Sequence, residues 1–244
     1  MITFEYPLNE KYRSYLRFEF LFLQIKESIN VENKNDLVAF FKGFFDLLEM
    51  TERCDIRHDL VKDLRLLMEE MASWLTVDDV DHDAVNALLA EMDTFMNGVS
   101  EMPKQLRFFK QNRFLTSLKQ RFSMPAGTCD FDLPQYHFWV NDTLEKRQKD
   151  VKYWMEHFYF LEKSISLFLK IKRSQGQMSE QTALNGFFQQ QQIENCGFVI
   201  IEILDDDAVY PMMSGHKDRY SIRFMSAEIE HHLSDSIVFK QTCC

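Results

Sequence analysis

The histidine pair His231–His232 is the first place in the sequence where chemistry is conceivable. Glu228 and Glu230 precede the pair, and imidazole and carboxylate groups together are zinc ligands. Two adjacent histidines in a polar loop are nevertheless more often simply solvated. We therefore predict no metal site and no cofactor.

Cys129 and His137 have the residue types of a nucleophile and its base. Nothing beyond residue type pairs them, and a buried structural cysteine is the commoner case. The sequence also lacks a Walker loop, a Rossmann glycine fingerprint, a His-Glu-x-x-His helix and a Gly-x-Ser-x-Gly elbow. We predict a protein that is not an enzyme, and an enzyme of unfamiliar chemistry remains the less favoured alternative.

The most unusual distribution of charge lies between Glu101 and Asp130. In a chain of net charge −10, with 28 basic and 38 acidic residues, this stretch has no acid. One interpretation is a face neutralised by neighbouring acidic helices. The other is a docking surface for an acidic peptide, or a nucleic-acid-binding module, although the net charge weighs against nucleic acid. We call residues 104–121 the basic segment, after its six basic residues: Lys104, Arg107, Lys110, Arg113, Lys119 and Arg121.

Two arginine pairs could add to such a surface. Arg13 and Arg17 are four residues apart and therefore share one face of a predicted helix. Arg219 and Arg223 project to one side of a predicted strand whose apolar residues project to the other. Because arginine binds carboxylates bidentately, the strand face could hold an extended acidic peptide. A solvated strand face would have the same sequence.

The elements that would position these cations are helical in the first two-thirds of the chain. Apolar residues there recur mainly every three or four positions, which indicates amphipathic helices. Pro103, Pro125 and Pro134 are expected to break the pattern. The predicted helices cover residues 9–30, 35–50, 55–75, 82–99 and 143–172.

Beyond residue 173 a polar loop leads into short strand-like runs. The Gln189–Gln192 run reads as a solvated turn, and Asp205–Asp207 as an exposed acidic turn. The sequence thus predicts a mainly α protein of the α+β class, with a helical bundle domain over residues 1–175. A small antiparallel β domain over 176–244 follows, and the 123–140 segment is expected to pack near it. The predicted strands cover residues 182–189, 197–204, 219–225 and 236–240.

The sequence shows no secretory signal and no apolar run near the ~18 residues that span a bilayer. Its five cysteines are scattered and include no Cys-x-x-Cys motif. We therefore expect a soluble, cytoplasmic protein with reduced thiols and no membrane insertion.

Four blocks that follow one another over nearly the whole chain form a specific pattern. They are Pro7–Lys11 with Arg13, Leu16, Arg17 and Glu19–Leu21; Phe131–Pro134 with His137 and Trp139; Gln181–Thr182 with Leu184–Phe187; and Tyr210–Pro211 with Ser214–Lys217, Arg219 and Ile222–Met225. Together with the Cys243–Cys244 ending, these blocks resemble the ZapD family of bacterial cell division proteins.

The resemblance implies a partner of FtsZ, the tubulin-like GTPase of the mid-cell division ring. ZapD-like proteins form homodimers, bind the C-terminal tail of FtsZ and thereby crosslink and bundle its filaments during septum assembly. Two of the tail-binding positions, Arg53 and His137, rest on the resemblance alone. Asp218, beside Arg219, is an acid not associated with the family. By motif, the tail-binding residues map onto Arg17, Arg53, Arg113, His137, Arg219 and Arg223.

Overall fold

The computed structural model describes residues 1–77, 80–191, 196–204, 208–216, 219–226 and 236–244. The chain splits into two compact units. We call Met1–Leu16 with Leu169–Cys244 the β unit, and Arg17–Phe168 the helical unit. Helices with two small antiparallel sheets confirm the mainly α, α+β class. The predicted domain limits, and the packing of 123–140 near the β domain, stay predictions.

The predicted helices occur in the predicted order, whereas the helices Arg113–Phe122 and Pro134–Val140 were not predicted. Polar side chains define several helix starts. Asn33 accepts hydrogen bonds from two backbone amides at the start of the helix Lys34–Arg53, and Asn112 accepts one from Leu115 at the start of the helix Arg113–Phe122. The helices are α1 (Glu10–Ser28), α2 (Lys34–Arg53), α3 (Arg57–Ser73), α4 (His82–Gln111), α5 (Arg113–Phe122), α6 (Pro134–Val140), α7 (Leu144–Glu156) and α8 (Tyr159–Gln175).

Two details of the helix prediction are wrong. Pro103 lies inside α4 and does not break it, because buried Met102 and Phe109 hold the helix on both sides of the proline. The predicted helix over 143–172 is two helices, separated at His157–Phe158. The spacing of apolar residues continues across this break because each helix buries one side: Trp154 is buried in α7 and Leu161 in α8.

The core of the helical unit is aromatic and centres on the fully buried Phe41 of α2. The Phe41 ring lies 5.5 Å from those of Phe122 and Trp139, and 5.7 Å from that of Tyr136. Trp154 of α7 lies 5.9 Å away. These ring contacts fix α5, α6 and α7 around α2, and therefore position the side chains that α5 and α6 expose.

The β unit contains two antiparallel sheets, one of four strands and one of three, among the described residues. Buried residues from both sheets, including Val199, Ile201, Ile222 and Phe239, form one apolar cluster. The strands are β1 (Ile2–Pro7), β2 (Gln177–Ala183), β3 (Phe187–Gln191), β4 (Phe198–Ile203), β5 (Val209–His216), β6 (Arg219–Ser226) and β7 (Ile237–Cys243). Their orders in the two sheets are β1-β4-β7-β2 and β3-β6-β5.

The predicted strand over 182–189 is wrong, because the chain turns at Leu184–Gly186 between β2 and β3. Asn185 and Gly186 have φ values of 51° and 69°, the left-handed conformation that an Asn-Gly hairpin turn requires. The Gln189–Gln192 run was predicted as a turn, but its first three residues belong to β3. Strands β1 and β5 were not predicted.

The expectation that all cysteines are reduced is wrong for Cys196 and Cys243, which form a disulfide. The antiparallel pairing of β4 with β7 brings the two cysteines together, and the Cα atoms of Cys196 and Cys243 lie 5.6 Å apart. Among the described helices, none is both long and apolar enough to cross a membrane.

Several sequence features lie outside the described residues. They are the His231–His232 pair with its preceding acids, Asp205–Asp207 and Asp218. In the part of the chain that the structure describes, no group of three or more His, Cys, Asp or Glu residues could hold a metal ion.

Candidate binding site

The central strand of the three-stranded sheet exposes the two predicted arginines. Tyr220, Ile222 and Phe224 are buried in the β unit, whereas Arg219 and Arg223 are exposed. The alternation predicted from the sequence is therefore confirmed. Four residues of extended strand place the two arginines about 13 Å apart along β6.

The neighbouring strands surround Arg223 with apolar side chains. Phe187 of β3 and Met212 of β5 are its register partners on either side. The Arg223 guanidinium lies 6.0 Å from the centroid of the Phe187 ring, within the range of a cation–π contact. Tyr210 is the partner of Met225 in the next row along the strand.

We call the exposed side of this sheet the sheet face. Residues directly opposite one another on paired strands project to the same side, so the register identifies its members. None of the described members is acidic, and within the described residues no carboxylate binds either arginine. The members are Phe187, Gln189, Gln191, Tyr210, Met212, Ser214, Arg219, Ser221, Arg223 and Met225.

A partly buried hydrogen-bond network supports the sheet face from behind. The Tyr220 hydroxyl donates to Gln190 Oε1 at 2.9 Å, and Gln241 Nε2 donates to the same oxygen at 2.7 Å. Burial raises the pKa of Tyr220, so the hydroxyl keeps its proton and acts as a donor. The network joins β6, β3 and β7, and thus holds the strand that carries both arginines.

In the helical unit, Arg113 and His137 lie exposed on two helices that contact each other. Rings of α5 and α6 pack together, with Phe114 5.9 Å from Trp139. Trp139 Nε1 donates a 2.8 Å hydrogen bond to Asp150 of α7, which fixes the helix that carries His137. The structure therefore brings the elements of these two predicted residues together.

Arg17 and Arg53 are the other two predicted residues of the helical unit, and both are exposed. Among the described residues, Arg17 has no carboxylate partner. Arg53, at the end of α2, forms an ion pair with Glu49 at 2.5 Å. Arg53 is thus already partly neutralised within its own helix.

Most cations of the basic segment are paired, as the interpretation of a neutralised face predicted. Glu52 of α2 binds Lys119 at 3.0 Å and Lys110 at 3.8 Å. Lys104 forms an ion pair with Glu101, and Arg121 forms one with Asp132. In the described part of the chain, Arg107 and Arg113 are the members without a carboxylate partner, which weakens the nucleic-acid alternative.

Sequence reasoning did not find the cleft beside the basic segment. The cleft has a volume of about 1070 Å³ and lies between α2, the end of α4 and α5. Leu48, Phe109 and Leu115 line it together with Glu52. At its rim, hydrogen bonds from Arg57 hold the pKa of Asp55 below its usual value.

The candidate pair Cys129 and His137 receives no support from the geometry. The hydrogen bonds of the described residues include none between the Cys129 thiol and the His137 ring. The predicted binding residues of the sheet face and of the helical unit are instead exposed cations.

Comparison with known proteins decides the family. The family model described as "ZapD: Cell division protein" matches residues 16–223. The chain belongs to the ZapD family. Curated relatives cover almost all of it: "Cell division protein ZapD" of Vibrio vulnificus (strain CMCP6) is 37% identical over 99% of this chain and 98% of that protein.

Other ZapD proteins agree with this assignment over similar lengths. The protein of Aliivibrio fischeri is 35% identical and that of Shewanella baltica (strain OS185) is 34% identical, each over 100% of this chain and 98% of the relative. The resemblance stated from the sequence is confirmed. This ZapD-family chain therefore has a role in cell division.

Three exposed residues of the sheet face were not placed beside Arg223 by the sequence analysis. Phe187, Tyr210 and Met212 join Arg223 on the sheet face through strand register. The Asn-Gly turn before Phe187 was the signal that could have located β3 and so placed Phe187 beside the arginine strand.

Proposed function

We propose that this ZapD-family chain binds the C-terminal tail of FtsZ and, as a homodimer, crosslinks and bundles FtsZ filaments. The protein acts without catalysis, in the cytoplasm at the mid-cell division ring. The observation that carries the proposal is the pair Arg219 and Arg223, exposed on a sheet face whose described residues include no acid. Guanidinium groups that have no carboxylate partner among the described residues can bind the carboxylates of an extended peptide.

The exposed cations of the helical unit belong to the same proposal. Arg17 and Arg113 have no carboxylate partner among the described residues, so binding a peptide costs them no existing ion pair. Arg53 must exchange Glu49 for the ligand, and we therefore expect it to contribute less. His137, exposed on α6, adds a ring nitrogen that can hydrogen-bond the peptide.

Bundling follows from having two such sites in one particle. A single contact with one tail is weak, but a dimer that holds two tails makes the second contact intramolecular at high effective concentration. Filaments present many tails, so divalent linkers join them even when each separate contact dissociates readily. Charge-assisted contacts also predict that bundling weakens as salt rises, since screening acts over about 8–10 Å near physiological ionic strength.

The test is co-sedimentation with polymerised FtsZ of the same organism, in its full-length and tail-deleted forms. We expect the protein to pellet with the full-length filaments only. Pelleting with both forms would move the contact away from the tail, and pelleting with neither would overturn the proposal. Light scattering checks bundling, and sedimentation equilibrium of the protein alone checks the homodimer.

A further inference from the structure

We propose that the sheet face also selects for a large apolar side chain in its peptide ligand, bound by Phe187, Met212 and Tyr210 beside Arg223. This inference rests on the proposed function and specifies the ligand. The ligand is an acidic peptide that carries a bulky apolar residue close to its carboxylates.

The apolar residues of the sheet face are exposed and adjacent. Met212 is 56% exposed, Phe187 43% and Tyr210 41%. Single exposed apolar side chains are common on protein surfaces, whereas a contiguous group marks a binding surface. Here the group is contiguous because three neighbouring strands contribute to it, with Phe187 and Met212 opposite Arg223.

The spacing of the sheet places apolar surface and positive charge within reach of one short peptide. Neighbouring strands lie about 4.8 Å apart, so Phe187 and Met212 border Arg223 on both sides. The next row, Met225 and Tyr210, lies about 6.8 Å further along β6. An extended peptide projects alternate side chains to one side at the same interval. A peptide that places a carboxylate at Arg223 would therefore bring its next side chain on that side close to Met225 and Tyr210.

The sheet face is graded along β6, and the gradient gives the ligand a direction. Around Arg219 and Ser221 the neighbours are polar, with Gln189 and Ser214 on either side of Ser221. Around Arg223 they are apolar or aromatic. We expect the ligand to place carboxylates along the whole row of arginines and its apolar residue at the Met225 end.

Charge distinguishes a peptide from a second copy of this chain as the occupant. The described members of the sheet face include two arginines and no acid. A symmetric dimer through this face would bring like charges together without a compensating carboxylate. An acidic peptide instead neutralises both arginines while its apolar side chain covers the exposed rings and thioethers.

The experiment measures binding of a fluorescent peptide with the C-terminal sequence of FtsZ to the full-length protein by anisotropy. Met212→Gln keeps the length of the side chain but makes it polar. We expect about a tenfold loss of affinity with an unchanged dependence on salt, because no charge is removed. The matched control is Val238→Thr, since Val238 is an apolar residue of β7, outside the sheet face, with a similar exposure of 52%. We expect the control to bind within about twofold of the wild type.

A second peptide, with its bulky apolar residues replaced by serine, completes a double-mutant cycle. The wild-type protein should bind this peptide about tenfold more weakly, and Met212→Gln should add little further loss. Met212→Gln binding the original peptide as tightly as the wild type would overturn the inference. Failure of the wild type to bind either peptide would overturn the proposed function together with it. Weak binding by Met212→Gln, combined with unchanged binding by Arg223→Ala, would support the apolar contact and reject the arginine assignment.

Discussion

The guanidinium of Arg223 lies 6.0 Å from the centre of the Phe187 ring, on the neighbouring strand β3. The contact holds the cation over an aromatic face on the open side of a sheet, where no described carboxylate neutralises it. A contact of this kind stabilises an exposed pair by about 0.5–1 kcal/mol. It orders the arginine without occupying its hydrogen-bond donors, which remain available to a ligand.

Removing either arginine of the sheet face should abolish most tail binding without unfolding the protein. For Arg219→Ala and Arg223→Ala we expect at least about a tenfold loss of affinity for the FtsZ tail, because each substitution removes a charge-assisted contact. Both side chains are exposed, so the free energy of unfolding should change by less than about 1 kcal/mol, which in Arg223→Ala includes the lost contact with Phe187. Anisotropy and urea unfolding measure the two effects.

The control for the arginine substitutions is Arg65→Ala, which removes an exposed arginine from α3 of the helical unit. We expect this variant to bind as the wild type does. Equal losses in all three variants would indicate a general effect of net charge and would contradict a specific site on β6. The salt dependence should also be shallower in Arg223→Ala than in the wild type.

Phe41 should be among the residues on which the helical unit depends most. Phe41→Ala removes a fully buried ring that contacts those of Phe122, Tyr136 and Trp139. We expect the free energy of unfolding to fall by about 3–5 kcal/mol, measured by urea denaturation. Phe20→Ala is the matched control, since that ring is 67% exposed and its loss should cost less than about 1 kcal/mol.

Glu52 should mask the positive charge of the basic segment. Glu52→Gln leaves Lys110 and Lys119 without their shared carboxylate, so the variant should elute from a heparin column at higher salt than the wild type. Stability should change by at most about 1 kcal/mol, because these pairs are largely exposed. Glu69→Gln removes the same charge from α3, and an equal shift in that variant would show that only net charge matters.

Asp55 should contribute a small part of the acid sensitivity of the fold. Hydrogen bonds of 2.7 and 2.6 Å from Arg57 hold the pKa of its carboxyl below the usual value. The stabilisation is therefore present above the unfolded pKa of about 3.9 and is lost as pH falls through the folded pKa. Because Asp55 is half exposed, we expect its contribution to the free energy of unfolding to be less than about 1 kcal/mol.

The corresponding measurement compares urea unfolding at pH 6 and pH 3 in the wild type and in Asp55→Asn. The wild type should lose more stability on acidification than the variant, because the variant has no carboxyl to protonate at this position. Arg57→Gln should reduce the difference in the same way. A wild type and an Asp55→Asn variant with identical losses would refute this assignment.

Local patterns along the chain were sufficient to predict the orientation of the two arginines, most helices and the family. The alternation along Arg219–Met225 by itself determined that Arg219 and Arg223 face away from the core, because side chains of a strand alternate whatever it pairs with. The helical period determined most helices, and the ordered motif blocks determined the family. Pro103 shows the limit of local rules, since burial on both sides of it overrides its tendency to break a helix.

Only the tertiary structure decided what surrounds each cation. Phe187 and Met212 border Arg223 through the register of three strands, and the alternation of one strand contains no information about its neighbours. Glu52 meets Lys110 and Lys119 across more than fifty residues of sequence, because the aromatic packing of α2 against α4 and α5 brings their helices together. Charge along a chain is additive, but the field that a ligand meets depends on distances in space, and those distances are set by packing.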